Sequence, residues 1–312
     1  MSVNLKFWLV FLLSFLASAV LLGLERAVGI NWDFHPDSVT YATTSETVYE
    51  SIVENWIGLF NNGYYVMAYF LGESIVAITL MNMLVFALTN GFIYKLIREK
   101  SRYPVTGALM LLLLLNPYRV HLSTTLLKET LIIFLLILIV SSTNTARAIP
   151  IAGMFILRIA SPLYLIVLMP RRFLFYGFLG VSLLTAFYWD AALGRILDFN
   201  DQEMRLRDFD TIPTFQEYGF LGAISRGIVW SLLAVSGLFA LVSPVPAYVP
   251  LAMGSLLTLI FLKKATGSFK IPLQLLVVTS LFGIMVTGFT AYIRYIYPLL
   301  IAWPLIALMK ND

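Results

Sequence analysis

The chain has 312 residues, 60% of them hydrophobic and only 12% charged, with a formal charge of +4 and a mean hydropathy of +0.87. A soluble domain is nearer half apolar and a quarter charged, so this composition excludes an ordinary soluble enzyme and predicts an all-α polytopic membrane protein. There is no cysteine, which excludes disulfides, zinc thiolates and cysteine nucleophiles.

The first apolar run, 7–24, reads as an uncleaved first helix rather than a signal peptide, because it is long and more spans follow. The polar segment 25–73 comes next. It opens on Asn31-Trp32-Asp33-Phe34-His35-Pro36-Asp37, which holds two carboxylates and one of only two histidines. Glu46, Glu50 and Glu54 are spaced four apart and share one helix face. They predict an amphipathic helix lying on the outer membrane surface, its glutamates solvated.

Apolar runs follow at 74–94, 104–116 and 126–141, continuous rather than alternating, which argues against a β-barrel. Between the last two, one helix is expected to stop at Pro117 and another to start near Ser123, with Ser123, Thr124 and Thr125 as candidate caps. Arg119, His121 and Lys128 near the free N–H groups of that start would form an anion site. Lys128 and Glu129 then lie just inside an apolar helix, where charge is costly and marks function. A snorkelling lysine beside an interfacial glutamate is the plainer reading.

The stretch 149–169 is apolar but broken between residues 158 and 162, and predicts a re-entrant hairpin rather than a full span. Arg158 within it needs either a phosphate, which its guanidinium grips in two places, or an internal carboxylate such as Glu73 or Glu129. Runs at 173–189, 249–262, 271–289 and 297–309 complete the set, with a partial element at 223–242. Pro104, Pro150, Pro272 and Pro298 fall near expected span starts. The polar loop 190–222, with Arg226 just beyond it, could be a lid over an outward cavity. Arg294 stands between two apolar runs among Tyr292, Tyr295 and Tyr297, as in an interfacial aromatic belt.

The resulting expectation is one integral membrane domain, 1–312, with about 8 full transmembrane helices plus re-entrant or partial elements. The basic loop 97–102 reads as cytoplasmic and the acidic segment 25–73 as external, which leaves both termini inside. Positive charge in short loops explains the basic balance, so no nucleic-acid partner is implied. No internal repeat is visible. No P-loop or other soluble-enzyme signature is found, so ATP-driven transport by this chain alone is not expected.

Most of the unusual polar groups thereby collect on the outer face. Asp37 or Asp33 could accept a proton from an attacking hydroxyl, with His35 sharing that work or holding a phosphate. The alternative is a solvated turn, with Asp37 capping the next helix.

The arrangement resembles the bacterial GT-C-type glycosyltransferases and the Wzy-type O-antigen and capsule polymerases. The matching elements are Asp33, Asp37 and Tyr41 in the first outer loop, then Asn61-Asn62-Gly63-Tyr64-Tyr65. Asn116-Pro117, Ser123, Lys128-Glu129, Arg158 in a broken helix, and Arg294-Tyr295 follow. The resemblance implies a GT-C-like fold, and chemistry on polyprenyl-linked sugars or oligosaccharides at the outer face of the bacterial inner membrane. It implies Asp37 or Asp33 as the base or as a divalent-metal ligand. Arg158 or Arg294 would hold the lipid pyrophosphate. The chain is short and lacks the C-terminal soluble domain of GT-C enzymes, which favours glycan building over protein glycosylation. Repeat-unit polymerisation leads, with single-sugar transfer as a close variant. A flippase for lipid-linked glycan and a structural partner of other polysaccharide-assembly proteins are the rivals. Membrane lipid is a partner in every case.

Overall fold

The computed structural model describes residues 3–142, 145–158, 160–168, 212–215, 218–242, 248–267, 273–286 and 288–309. Every regular element among them is helical. The expected span 173–189 and most of the loop 190–222 lie outside the described residues. The chain divides into two compact units. One comprises residues 1–162, 260–268 and 304–312, and the other residues 163–259 and 269–303.

The first unit is built on two long helices, α1 (Val3–Ala27) and α5 (Ile75–Lys100). Segments Leu5–Ala27 and Ile75–Lys100 are each long and apolar enough to cross a membrane, as is Ala291–Met309 further on. The chain is therefore a helical membrane protein. Leu5, Trp8, Leu9, Leu12, Leu16 and Val20 of α1 point outward, a surface suited to hydrocarbon rather than water. The inner face is pinned to α5 by small polar contacts: Asn90 Nδ2 donates to Ser14 Oγ at 3.0 Å and to the Leu114 carbonyl at 3.0 Å. Phe7 meets Phe92 edge-on at 5.6 Å, over Gly91, where a Cβ would lie 2.6 Å from the Phe7 ring. Ser14 faces Asn90, whereas Glu25 reaches Thr124, next to the Thr125 carbonyl that Asn82 holds, so the pair is antiparallel. Glu25 thus lies toward the start of α5, away from Lys95, Arg98 and Lys100.

Short helices follow α1 on the way to α5: α2 (Pro36–Thr43), α3 (Ser45–Glu54) and α4 (Gly63–Phe70). Glu46, Glu50 and Glu54 are all exposed on α3, as the solvated reading expects. Glu73 is spent on capping α3, its Oε1 accepting the Glu46 N–H at 2.8 Å. Trp56, Ile57 and Phe60 are exposed just beyond α3.

The region 104–141 departs from expectation. In place of two long helices there are three short ones, α6 (Gly107–Leu114), α7 (Pro117–Thr124) and α8 (Glu129–Ser141). Asn116-Pro117 starts α7 rather than only ending its predecessor: the Asn116 side chain accepts the Tyr118 N–H and Pro117 occupies the first turn. Ser123 and Thr124 consequently close a helix instead of capping one, and the break falls at residues 125–128. At about 12 Å and 20 Å, α6 and α8 are shorter than a hydrocarbon core of about 30 Å. Helix α9 (Ala148–Leu157) ends where the sequence predicts a break, with Arg158 extended and a 3-10 turn from Ser161.

In the second unit, α10 (Gly219–Ser236) packs on α13 (Leu273–Met285). Gly237, left-handed at φ 74°, ends α10 before the short α11 (Phe239–Val242). Arg226 is not part of a polar loop. It is buried on α10, and its guanidinium caps the end of α13 through the Gly283 and Ile284 carbonyls, each at 2.9 Å. Helix α12 (Tyr248–Thr266) follows, and α14 (Phe289–Met309) runs straight through Pro298. Pro298 therefore does not begin a span. Tyr292 and Tyr297 are buried rather than forming a surface belt.

Gly227 is where α10 and α13 touch: a Cβ there would lie 2.5 Å from the Ser280 carbonyl oxygen, and a Cβ on Gly283 would lie 2.8 Å from Gly227 Cα. Close backbone approach through small residues is a main source of helix association in membranes. Gly227→Val is expected to cost about 1–3 kcal/mol, read as a lower thermal midpoint in detergent. Gly107→Ala, which meets nothing within 4 Å, should leave the midpoint in place or raise it.

Candidate functional site

Two polar centres flank the α7–α8 break in the first unit. The break exposes backbone carbonyls that no helix satisfies, and buried carbonyls need donors. Asn82 of α5 supplies them. Its side-chain amide donates to Thr125 O at 2.6 Å and Leu127 O at 3.1 Å, and also to the Tyr64 hydroxyl at 3.0 Å. Tyr64 is fully buried and meets Tyr41 at 4.6 Å, so α2, α4 and α5 converge on the junction.

The first centre joins the start of α8 to the end of α9. Glu129 Oε1 accepts from Arg158 Nη2 at 2.6 Å, with side-chain exposures of 0% and 2%. Of the two sequence readings for Arg158, the internal carboxylate is the one built here, and it is Glu129 rather than Glu73. A second bridge runs alongside. Lys128 Nζ donates to Asn61 O at 3.4 Å, while the Asn61 N–H donates to Phe155 O at 3.3 Å. Asn61 adopts φ 77°, a left-handed conformation asparagine tolerates. Gly63 is needed next to it: a Cβ would lie 2.1 Å from Ile156 Cγ2. The stretch Asn61-Asn62-Gly63-Tyr64-Tyr65 therefore holds the end of α9 against the start of α8.

The second centre is a chain of three side chains from three segments. Glu25, at the end of α1, places Oε1 2.6 Å from His121 Nδ1 on α7. Its Oε2 accepts from the Thr124 hydroxyl at 2.6 Å. His121 Nε2 lies 3.0 Å from His35 Nε2. A carboxylate only accepts, so His121 carries a proton on Nδ1. In the neutral pair its Nε2 then offers a lone pair to the Nε2–H of His35. Phe34 lies edge-on to both imidazoles, and Tyr118 stacks on His121. Such a chain can take up, hold and pass a proton.

The remaining sequence candidates are placed apart. Asp33 is exposed on a 3-10 turn, and Asp37 is partly buried in the first turn of α2, where His35 rather than Asp37 occupies the cap position. Arg119 is buried over the Phe86 ring at 5.1 Å and donates to Leu113 O at 3.2 Å. Arg119, His121 and Lys128 thus engage different partners and do not frame one helix start, because α8 begins at Glu129 rather than near Ser123. Arg294 and Tyr295 belong to the second unit. Arg294 lies inside α14, mostly buried, and the Tyr295 carbonyl accepts from the Tyr164 hydroxyl. No group of three or more His, Asp or Glu able to hold a metal converges among the described residues.

Glu25 went unnoticed in the sequence. Its neighbours make it an ordinary helix-end charge, and its partner is 96 residues away. The one available cue is that a chain with two histidines puts both beside carboxylate- or hydroxyl-rich stretches. No family model, curated protein or solved structure matches the chain.

Removing one partner of a buried ion pair leaves the other charge stranded. Glu129→Ala should cost about 3–5 kcal/mol, whereas Glu129→Leu combined with Arg158→Met should recover most of that. Thermal unfolding of the two single variants and the double variant, in detergent, measures the coupling.

Proposed function

We propose that this protein transfers glycosyl groups from polyprenyl-phosphate- or pyrophosphate-linked sugars during cell-surface polysaccharide assembly, most simply by joining repeat units. The observation that carries the reading is the asymmetry of the first unit. Its buried ionisable groups gather beside the Glu25 end of the α1–α5 pair, while Lys95, Arg98 and Lys100 mark the other end. With the basic end cytoplasmic, the site faces outward from the bacterial inner membrane, and both termini are inside.

In the reaction, an acceptor sugar hydroxyl attacks the anomeric carbon of the donor. The bond from that carbon to the phosphate oxygen breaks, and the lipid phosphate leaves with the electron pair. Catalysis needs a group to take the hydroxyl proton and cations where phosphate charge grows. The resemblance would make Asp37 or Asp33 that proton acceptor. Lys128 is the cation we assign to the phosphate, because its ammonium lies at the junction beside a backbone carbonyl. Arg158 is already matched to Glu129 and serves to set the angle between α8 and α9. Single-sugar transfer uses the same chemistry with a different acceptor.

One observation favours a rival. Chains of Glu and His are what proton-coupled transporters use, so a flippase for lipid-linked glycan is the second reading. A flippase needs polar groups along a path through the bilayer, whereas these cluster at one end.

Deleting the gene is expected to collapse long surface chains to single repeat units on a glycan gel. Lys128→Ala, at wild-type membrane levels, should restore them poorly, with transfer down about 10²-fold. Unchanged chain length in the deletion removes the polymerase reading. A truncated repeat unit would point to single-sugar transfer, and lipid-linked glycan trapped inside to transport.

A further inference from the structure

We infer that the proton acceptor of this site is the His35–His121 pair, with Glu25 as its positioning residue, rather than an aspartate of the first outer loop; this rests on the transferase reading above. Three observations carry it. The carboxylate is 2.6 Å from Nδ1 of His121, close enough to fix both the tautomer and the ring. The two imidazoles face each other Nε2 to Nε2 at 3.0 Å, so a proton entering one can move to the other. And the chain is shielded, with His35 only 7% exposed, whereas Asp33 stands in solvent.

The proton balance is simple. The acceptor hydroxyl gives its proton to Nδ1 of His35, because Nε2 faces His121. The Nε2 proton of His35 passes to Nε2 of His121. His121 is then an imidazolium held against the Glu25 carboxylate, and the acceptor oxygen keeps its electron pair for the bond to the anomeric carbon. Glu25 keeps accepting the Nδ1–H of His121, as the orienting carboxylate does in a hydrolase triad. The charged groups on the surrounding elements are Glu25 and Arg26 of α1, Asp33 and Asp37 on either side of His35, and Arg119 of α7. Arg26 is turned to the Ile30 carbonyl and the Asn31 side chain, and Arg119 to Leu113 and Phe86. Glu25 Oε1 is in hydrogen-bond contact with His121 Nδ1.

The test uses right-side-out membrane vesicles from cells expressing the full chain, charged with the host's own radiolabelled polyprenyl-diphosphate oligosaccharides. Consumption of that label is followed from about pH 5 to 8, the range in which imidazoles titrate. His35→Ala and His121→Ala should lose about 10²-fold or more, and added imidazole should restore part of the rate to the first. Glu25→Gln, which keeps the shape and removes the counter-charge of the imidazolium, should move the acidic limb of the rate profile to lower pH. A purely structural Glu25 would lower the amount of protein and leave the limb in place. His35→Asn guards against a folding defect in the alanine variant. If wild-type vesicles consume no label, the transferase reading itself fails and takes the inference with it. If wild type is active and the histidine variants, at wild-type membrane levels, keep its rate and pH profile, the inference alone is overturned. Loss confined to Asp37→Asn or Asp33→Asn overturns it equally.

Discussion

A polypeptide inside a membrane protein cannot leave backbone carbonyls unsatisfied, and the Asn82 amide meets that demand at the break between α7 and α8. Between α7 and α8 the helix stops for four residues. Asn82 takes the two exposed carbonyls and ties them to Tyr64. Because the break is held open, Lys128 and Glu129 begin a helix instead of lying within one, and His121 and Thr124 on α7 can turn toward α1. A continuous helix over 117–141 would point these groups around a cylinder. The kinked arrangement directs them to two separate partners.

What hydropathy could reveal was revealed well. The run 7–24 became α1 and the run 74–94 became α5, because a long apolar segment has few alternatives in a membrane. The break at Arg158 was also legible, since a buried guanidinium followed by Ser161-Pro162 suits neither a span nor a turn of helix. The region 104–141 was not. Asn-Pro reads equally as the end of one helix and the start of another, and only the cap on Tyr118 decides. The division at 125–128 depends on a side chain more than 40 residues earlier in the chain. Pro298 misled for a related reason: proline is tolerated inside membrane helices where neighbours re-satisfy the backbone.

The candidate site divides along the same line. The residue types were legible: rare histidines, a lysine–glutamate pair and an arginine in an apolar run each carry a cost that demands explanation. Their pairing was legible only in part: Glu129 was one of two carboxylates offered to Arg158 and the fold decides between them, whereas Glu25 with His121 is a contact made by the fold alone. Glu25 shows the limit most clearly. Seen alone, it is one polar residue closing a hydrophobic helix, and nothing local separates it from Arg26 beside it.

The Glu129–Arg158 pair carries a further consequence. Dissolved ions weaken electrostatic attraction only where they can approach, and here both charges are sealed from solvent. Raising ionic strength should therefore leave the joint between α8 and α9 untouched while weakening contacts of exposed groups such as Lys95 with Glu99. The joint between these two helices is thus insulated from the ionic strength of the medium.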